Sequence, residues 1–216
     1  MEPEPPGLEA VFGSAGDLAR EYARWLVGPG VERGLIGPRE SERIWSRHLL
    51  NCAVMSSLLP ADARVVDVGS GAGLPGIPLA LLRPDVAMIL VEPLERRVAF
   101  LHEVVGALGL SNVTVVRGRA DEVVGSCGNA DVVTSRAVAP LAKLAAWSVP
   151  LARSGGQVLA MKGSSAAAEI ERDRLAVGKL GLTSLEVLTV GAEFVTPPTT
   201  VVRGVVRAPV SRGRRR

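Results

Sequence analysis

The segment Val65-Val66-Asp67-Val68-Gly69-Ser70-Gly71-Ala72-Gly73-Leu74-Pro75-Gly76 constrains this chain more than any other. A valine-rich run reads as a short buried strand, and three alternate glycines follow it at once. Glycine lacks a Cβ, so the backbone can turn sharply there and a ligand can approach it closely. A strand ending in such a turn and followed by an apolar helical pattern opens an α/β sheet. Sheets of that kind bind ligands at the carboxyl edge of their strands, where the strand order reverses.

The rest of the chain agrees. Short apolar runs at Arg64–Val68, Val86–Val91, Val113–Val116, Asp131–Thr134 and Gly156–Met161 alternate with amphipathic stretches of crossover length. That alternation predicts a mostly parallel sheet covered by helices on both faces. Thr183–Thr189 and Thr199–Val206 alternate in polarity with no helix between them, which predicts an antiparallel pair closing the sheet. Upstream, Leu18, Tyr22, Trp25 and Leu26 recur at helical spacing, and Gly28-Pro29-Gly30 is the expected stop. A second helix is expected from about Glu40 to Leu59, with Ile44, Trp45, Leu49 and Ala53 on one side and Pro60 ending it. A length of 216 residues, 47% of them hydrophobic, provides one full core and not two. We therefore expect a helical extension over 1–60 packed on a main domain over 61–208, and a basic flexible tail over 209–216.

Composition removes several functions. No apolar run nears the ~20 residues needed to span a bilayer, and the start MEPEPPGLEA has neither the basic end nor the apolar stretch of a secretory signal. The expected address is the cytoplasm. Cys52 and Cys127 lack companions at ligand spacing, so no metal site and no disulfide framework are expected. A net charge of +3 permits a nucleic-acid partner without demanding one.

Two cofactors compete for the glycine loop. Gly71-Ala72-Gly73-Leu74-Pro75-Gly76 satisfies the dinucleotide pattern G-x-G-x-x-G, with Glu92 at about the distance of a ribose-binding acid. The frame formed by Asp67, Gly69, Gly71 and Gly73 suits S-adenosylmethionine (SAM) better. A carboxylate beside the loop repels a pyrophosphate but attracts an ammonium and a sulfonium. The plainer alternatives are that Asp67 only accepts from loop amides and that Glu92 only pairs with Arg96 or Arg97.

The chain resembles the small-subunit ribosomal RNA guanine N-7 methyltransferases, also called glucose-inhibited division protein B. The resemblance spans about Ser41 to Arg203. It is carried by Ile44-Trp45-Ser46-Arg47-His48-Leu49-Leu50, the loop extension Leu74-Pro75-Gly76-Ile77-Pro78-Leu79, Glu92-Pro93-Leu94-Glu95-Arg96-Arg97, Ser135-Arg136-Ala137 and Met161-Lys162-Gly163. It implies a Rossmann-like class I SAM-dependent methyltransferase fold, SAM as cofactor, and 16S rRNA or the small ribosomal subunit as partner, acted on by a monomer. By similarity, Gly69 and Leu74 contact the cofactor, Ala120 and Asp121 hold the adenine, and Arg136 lines the cofactor and substrate cavity. Asp121 stands where the family commonly has Glu, Gly34-Leu35-Ile36 where many members carry Asn-Leu-Thr, and Asn51-Cys52 where many carry Asp-Ser.

Guanine N-7 has an in-plane lone pair, so methyl transfer to it needs orientation and no general base. We assign Arg136 to the guanine 6-oxo group or a phosphate and Lys162 to a phosphate. His48, on one helix with Arg43 and Arg47, is a candidate to face RNA. A non-catalytic nucleotide- or RNA-binding module and an NAD-dependent oxidoreductase are the competing functions. Asp67 and the absence of a Tyr-x-x-x-Lys pair stand against the second.

Overall fold

The structure, a computed structural model, describes residues 1–136 and 139–207. Its strands are β1 (Arg64–Val68), β2 (Ala87–Glu92), β3 (Val113–Arg117), β4 (Ala130–Arg136), β5 (Ala152–Lys162), β6 (Leu182–Val190) and β7 (Thr199–Val206). Its α-helices are α1 (Leu8–Phe12), α2 (Gly16–Trp25), α3 (Leu50–Ala53), α4 (Gly76–Leu82), α5 (Glu95–Ala107), α6 (Val124–Cys127), α7 (Leu141–Ser148) and α8 (Ala166–Lys179). One seven-stranded sheet runs in the order β3-β2-β1-β4-β5-β7-β6. The first five strands pair parallel, and β7 lies antiparallel between β5 and β6. The order reverses between β1 and β4, and the glycine loop leaves β1 at that point, where open sheets bind ligands.

Burial follows the two-residue period of a strand. Val66, Val68, Ile89 and Val91 pack on one face with Val123 and Leu151. Val65, Met88 and Leu90 pack on the other face, in a cluster that also holds Leu8, Tyr22, Trp45 and Leu49 of the first 60 residues. The helical extension is therefore continuous with the sheet's own core. Asp67 shares the face of Val65, beneath the extension, and is fully buried.

Two expectations for the extension change. Gly28-Pro29-Gly30 does not stop the first helix. Leu26–Gly30 continues as a wide π turn around Pro29, whose missing N–H removes one bond of a regular ladder. The stop comes at Gly34, at φ +67°, where the Leu35 and Ile36 N–H groups both reach back to the Gly30 carbonyl at 2.8 and 3.2 Å. The second stretch is helical over 38–58, but its ladder passes through 3-10, π, α and again 3-10 turns. Ile44, Trp45, Leu49 and Ala53 are buried along it as expected, and His48 and Cys52 join them. Among the described residues no helix is long and apolar enough to cross a membrane. The expected basic tail at 209–216 and Ala137 lie outside the described residues.

Candidate active site

Gly69, Gly71 and Gly73 take φ of +72°, +59° and +100°, all in the left-handed region. The Gly69 and Ser70 N–H groups donate to the Val91 carbonyl at 2.9 and 3.2 Å, stapling the loop across β2. Tyr22 of the extension donates to the Ala72 carbonyl at 2.8 Å. A Cβ on Gly73 would stand 2.4 Å from Ile77 Cδ1, so packing alone requires glycine there. At Gly71 the nearest atom to such a Cβ is 3.9 Å away, and this glycine faces open space.

That space is a cavity of about 530 Å³ walled by Gly69, Gly71, Leu74, Glu92, Arg97 and Arg136, with Leu35 and Ile36 of the extension. A smaller slot of about 130 Å³ opens beyond Gly69, between Val68, Val91, Pro93, Ala120 and Trp147, with Asp121 at its rim. Glu92 is buried and its carboxylate is held twice: Oε2 accepts from Gly71 N–H and Oε1 from Leu94 N–H, each at 3.0 Å. Arg97 approaches Glu92 at 3.6 Å, so the acid has an arginine neighbour as well as a cavity to face. Asp67 lies beneath the loop and is absent from the cavity wall. Its Oδ2 accepts from Gly76 N–H at 3.1 Å, and its buried Oδ1 has no protein partner. Burial raises its pKa to about 7, against the lowering effects of the Gly76 hydrogen bond, the nearby Ser70 hydroxyl and the Arg136 charge. The geometry thus gives Asp67 the loop-bracing role in full view.

A third cavity, about 740 Å³, adjoins at the ends of β4 and β5 and is walled by Glu40, Arg47, His48, Arg136, Lys162 and Glu169 among others. Arg136 belongs to both large cavities. Its Nη2 donates to His48 Nδ1 at 2.5 Å, and Nη1 reaches the Arg47 carbonyl at 3.4 Å and Cys52 Sγ at 3.6 Å. His48 Nε2 lies 2.7 Å from Glu40 Oε2. Because the guanidinium can only donate, Nδ1 is an acceptor and Nε2 carries the proton. Burial, reinforced by Arg136, pushes the His48 pKa down to about 4 despite Glu40, which keeps the ring neutral. His48 is therefore buried behind Arg136, where sequence reasoning placed it among residues facing RNA. Lys162 does not stand open to a phosphate: its Nζ donates to Glu169 Oε2 at 2.8 Å and to the Ala139 carbonyl at 2.7 Å, with little of the side chain exposed.

The fold thus brings Gly69, Gly71, Leu74, Glu92 and Arg136 around one cavity, sets Ala120 and Asp121 at the adjoining slot, and joins Arg136, Lys162 and His48 at the other. Tyr22, Leu35, Ile36, Glu40 and Glu169 were missed. Tyr22 looked like one more core residue on a helical stripe, and nothing local to the sequence points from the extension to the loop.

A family model described as rRNA small subunit methyltransferase G matches residues 16–195. The chain belongs to that family. The ribosomal RNA small subunit methyltransferase G of Mycolicibacterium gilvum is 57% identical over 206 residues, covering 94% of this chain and 90% of the relative. That of Rhodococcus jostii is 56% identical, covering 98% and 93%. Among solved structures, TYW2 of M. jannaschii in complex with AdoMet superposes with a TM-score of 0.58 at 21% identity, covering 76% and 78%. Fibrillarin of Aeropyrum pernix with natively bound S-adenosyl-L-methionine gives 0.54 at 19%, covering 74% and 75%. These two establish the class I SAM-dependent methyltransferase fold. As a member of the rRNA small subunit methyltransferase G family the chain is an rRNA methyltransferase, which displaces the oxidoreductase and the non-catalytic module.

Proposed function

We propose that this protein, a cytoplasmic monomer, transfers a methyl group from SAM to N-7 of a guanine in 16S rRNA, with the small ribosomal subunit or its RNA as partner. SAM supplies an electrophilic methyl group on a sulfonium. The residues present fit it. Gly71 leaves the space a close ligand needs, Glu92 retains lone pairs toward the cavity for two ribose hydroxyls, and Val68, Val91 and Trp147 offer an apolar slot for a flat ring beside Ala120 and Asp121. Asp67 contributes by holding the loop and by its charge under the cavity when ionised.

The larger cavity next to Arg136 takes the guanine. The observation that carries the N-7 reading is the state of its proton-accepting groups: each is already engaged. Glu40 is committed to His48, Arg43 and Arg47, Glu169 to Lys162, and both His48 nitrogens to Glu40 and Arg136. Among the described residues, the cavity wall therefore presents no idle base. An exocyclic amine or a ribose hydroxyl needs a proton removed, whereas N-7 does not, and alignment alone can supply about 7–11 kcal/mol of barrier lowering. Arg136 donates to the 6-oxo group beside N-7. Among the described residues Lys162 spends two of its three N–H donors on Glu169 and the Ala139 carbonyl, which leaves the third for an RNA phosphate.

The test is transfer of labelled methyl from SAM to small ribosomal subunits, followed by borohydride and aniline, which cleave a strand at 7-methylguanosine. Cleavage after one guanosine is expected. Label on a ribose hydroxyl or on an exocyclic amine overturns the assignment.

A further inference from the structure

Resting on the methyl-transfer reading above, we propose that His48 is a positioning residue: backed by Glu40, it fixes the Arg136 guanidinium in the partition between the two large cavities. The helical extension then sets how donor and acceptor are aligned.

Arg136 closes β4, and arginine at a strand end is ordinarily a long, mobile side chain. Among the described residues its hydrogen-bond partners all come from 38–58: the Arg47 carbonyl, His48 Nδ1 and Cys52 Sγ. Of a guanidinium's five N–H groups, these contacts occupy three, leaving Nε–H and one Nη2–H for whatever enters the cavities. His48 in turn cannot rotate without giving up Glu40, because its two nitrogens face opposite charges. Glu40 is itself pinned by Arg43 at 2.7 Å and Arg47 at 3.3 Å. An apolar side chain would fill the same buried space, but it would leave the guanidinium unanchored on that side. In a reaction driven by alignment, a displacement near 1 Å can cost about 100-fold in rate.

The variants His48→Asn and His48→Gln separate positioning from packing. The Asn side-chain oxygen stands one bond from Cγ, as Nδ1 does, and can accept from Arg136. The Gln amide stands one bond further out, toward Glu40, and leaves Arg136 without its acceptor. With full-length protein, SAM and small ribosomal subunits, His48→Gln should lower the single-turnover rate about 10- to 100-fold, with SAM affinity and the subunit KM nearly unchanged. His48→Asn should recover most of the rate. His48→Gln added to Arg136→Ala should cost nothing more. An activity-independent readout comes from the nitrogen resonances of the Arg136 guanidinium. Rotation about its Cζ–Nη bonds should be slowed in the wild type and in His48→Asn and released in His48→Gln.

Equal losses in the Asn and Gln variants, additivity with Arg136→Ala, or guanidinium rotation unaltered by His48→Gln would each overturn the proposal. If wild-type protein methylates no subunit, the functional reading falls while the resonance measurement still decides the positioning role.

Discussion

Glutamine at position 92 tests the buried carboxylate that ties cofactor cavity and loop together. Glu92 accepts from Gly71 N–H and Leu94 N–H at 3.0 Å each, so its two oxygens serve two backbone donors. Glu92→Gln preserves size and one acceptor, but sets an NH₂ group against the other backbone N–H. Losing one hydrogen bond to a buried charge costs about 1.5–3 kcal/mol. At about 2–4 °C per kcal/mol for a chain of this size, the melting temperature of the unliganded protein should fall by about 3–12 °C. The ribose hydroxyls lose the same charged acceptor, so the Kd for SAM should rise about 10- to 100-fold, a decade for each 1.4 kcal/mol. Scanning calorimetry reads the first effect and titration calorimetry with SAM the second. A lowered melting temperature with SAM affinity unchanged within about twofold would confine Glu92 to bracing the loop and refute its ribose role. No change in either would refute the reasoning altogether.

The glycines divide into two classes. Gly73→Ala should cost stability heavily, since its Cβ meets Ile77 Cδ1 at 2.4 Å, whereas Gly71→Val should still fold, at about 1–2 kcal/mol for the left-handed backbone, and lose SAM binding; calorimetry on the two proteins separates these outcomes. Asp67 and His48 should give opposing pH slopes. The Asp67 pKa is raised to about 7, so its contribution is lost as pH climbs from about 4 through 7; the His48 pKa is lowered to about 4, so its contribution grows from about pH 4 to 6.5. Relative to wild type, denaturant melts of Asp67→Asn should therefore steepen the gain in stability over that range, and those of His48→Asn should flatten or reverse it. The methylation rate should show no acid limb from His48 between about pH 6.5 and 8.5, and a limb that disappears in His48→Asn would contradict its buried neutral state. Lys162→Ala should destabilise by about 1.5–3 kcal/mol because it leaves the partly buried Glu169 without its charged donor, and Lys162→Ala/Glu169→Ala should melt above the single variant.

The strands were legible because buried strands are written as valine-rich runs: parallel β1 and antiparallel β7 span the residues their patterns indicate, and the others differ by a few residues at their ends. The glycine loop was legible because left-handed backbone restricts residue choice. The first helix stop was misread because Gly-Pro-Gly reads as a break by local chemistry, while tertiary packing carries the turn on to Gly34. By the family resemblance Gly34 stands where many members carry Asn, the other residue that enters the left-handed region readily, so that departure would preserve the geometry. Lys162 was given a phosphate, and His48, on one helix with Arg43 and Arg47, was given a face toward RNA. Their burial depends on Glu169 and Glu40, and a pairing between separate elements leaves no periodic trace in a sequence.

The hydroxyl of Thr199 meets both the side-chain oxygen and the carbonyl of Asn51, 148 residues away, at 2.5 and 3.1 Å. In the same core Val201 of β7 lies with Leu8, Tyr22 and Trp45. During synthesis the extension leaves the exit tunnel first, yet its apolar side finds its last neighbours only when nearly the whole chain has emerged. Contacts so distant along the chain form slowly, and the waiting surface is of the kind that aggregates or recruits chaperones. A nascent chain stalled before β7 would hold the glycine loop beside an extension that still lacks its β7 neighbours.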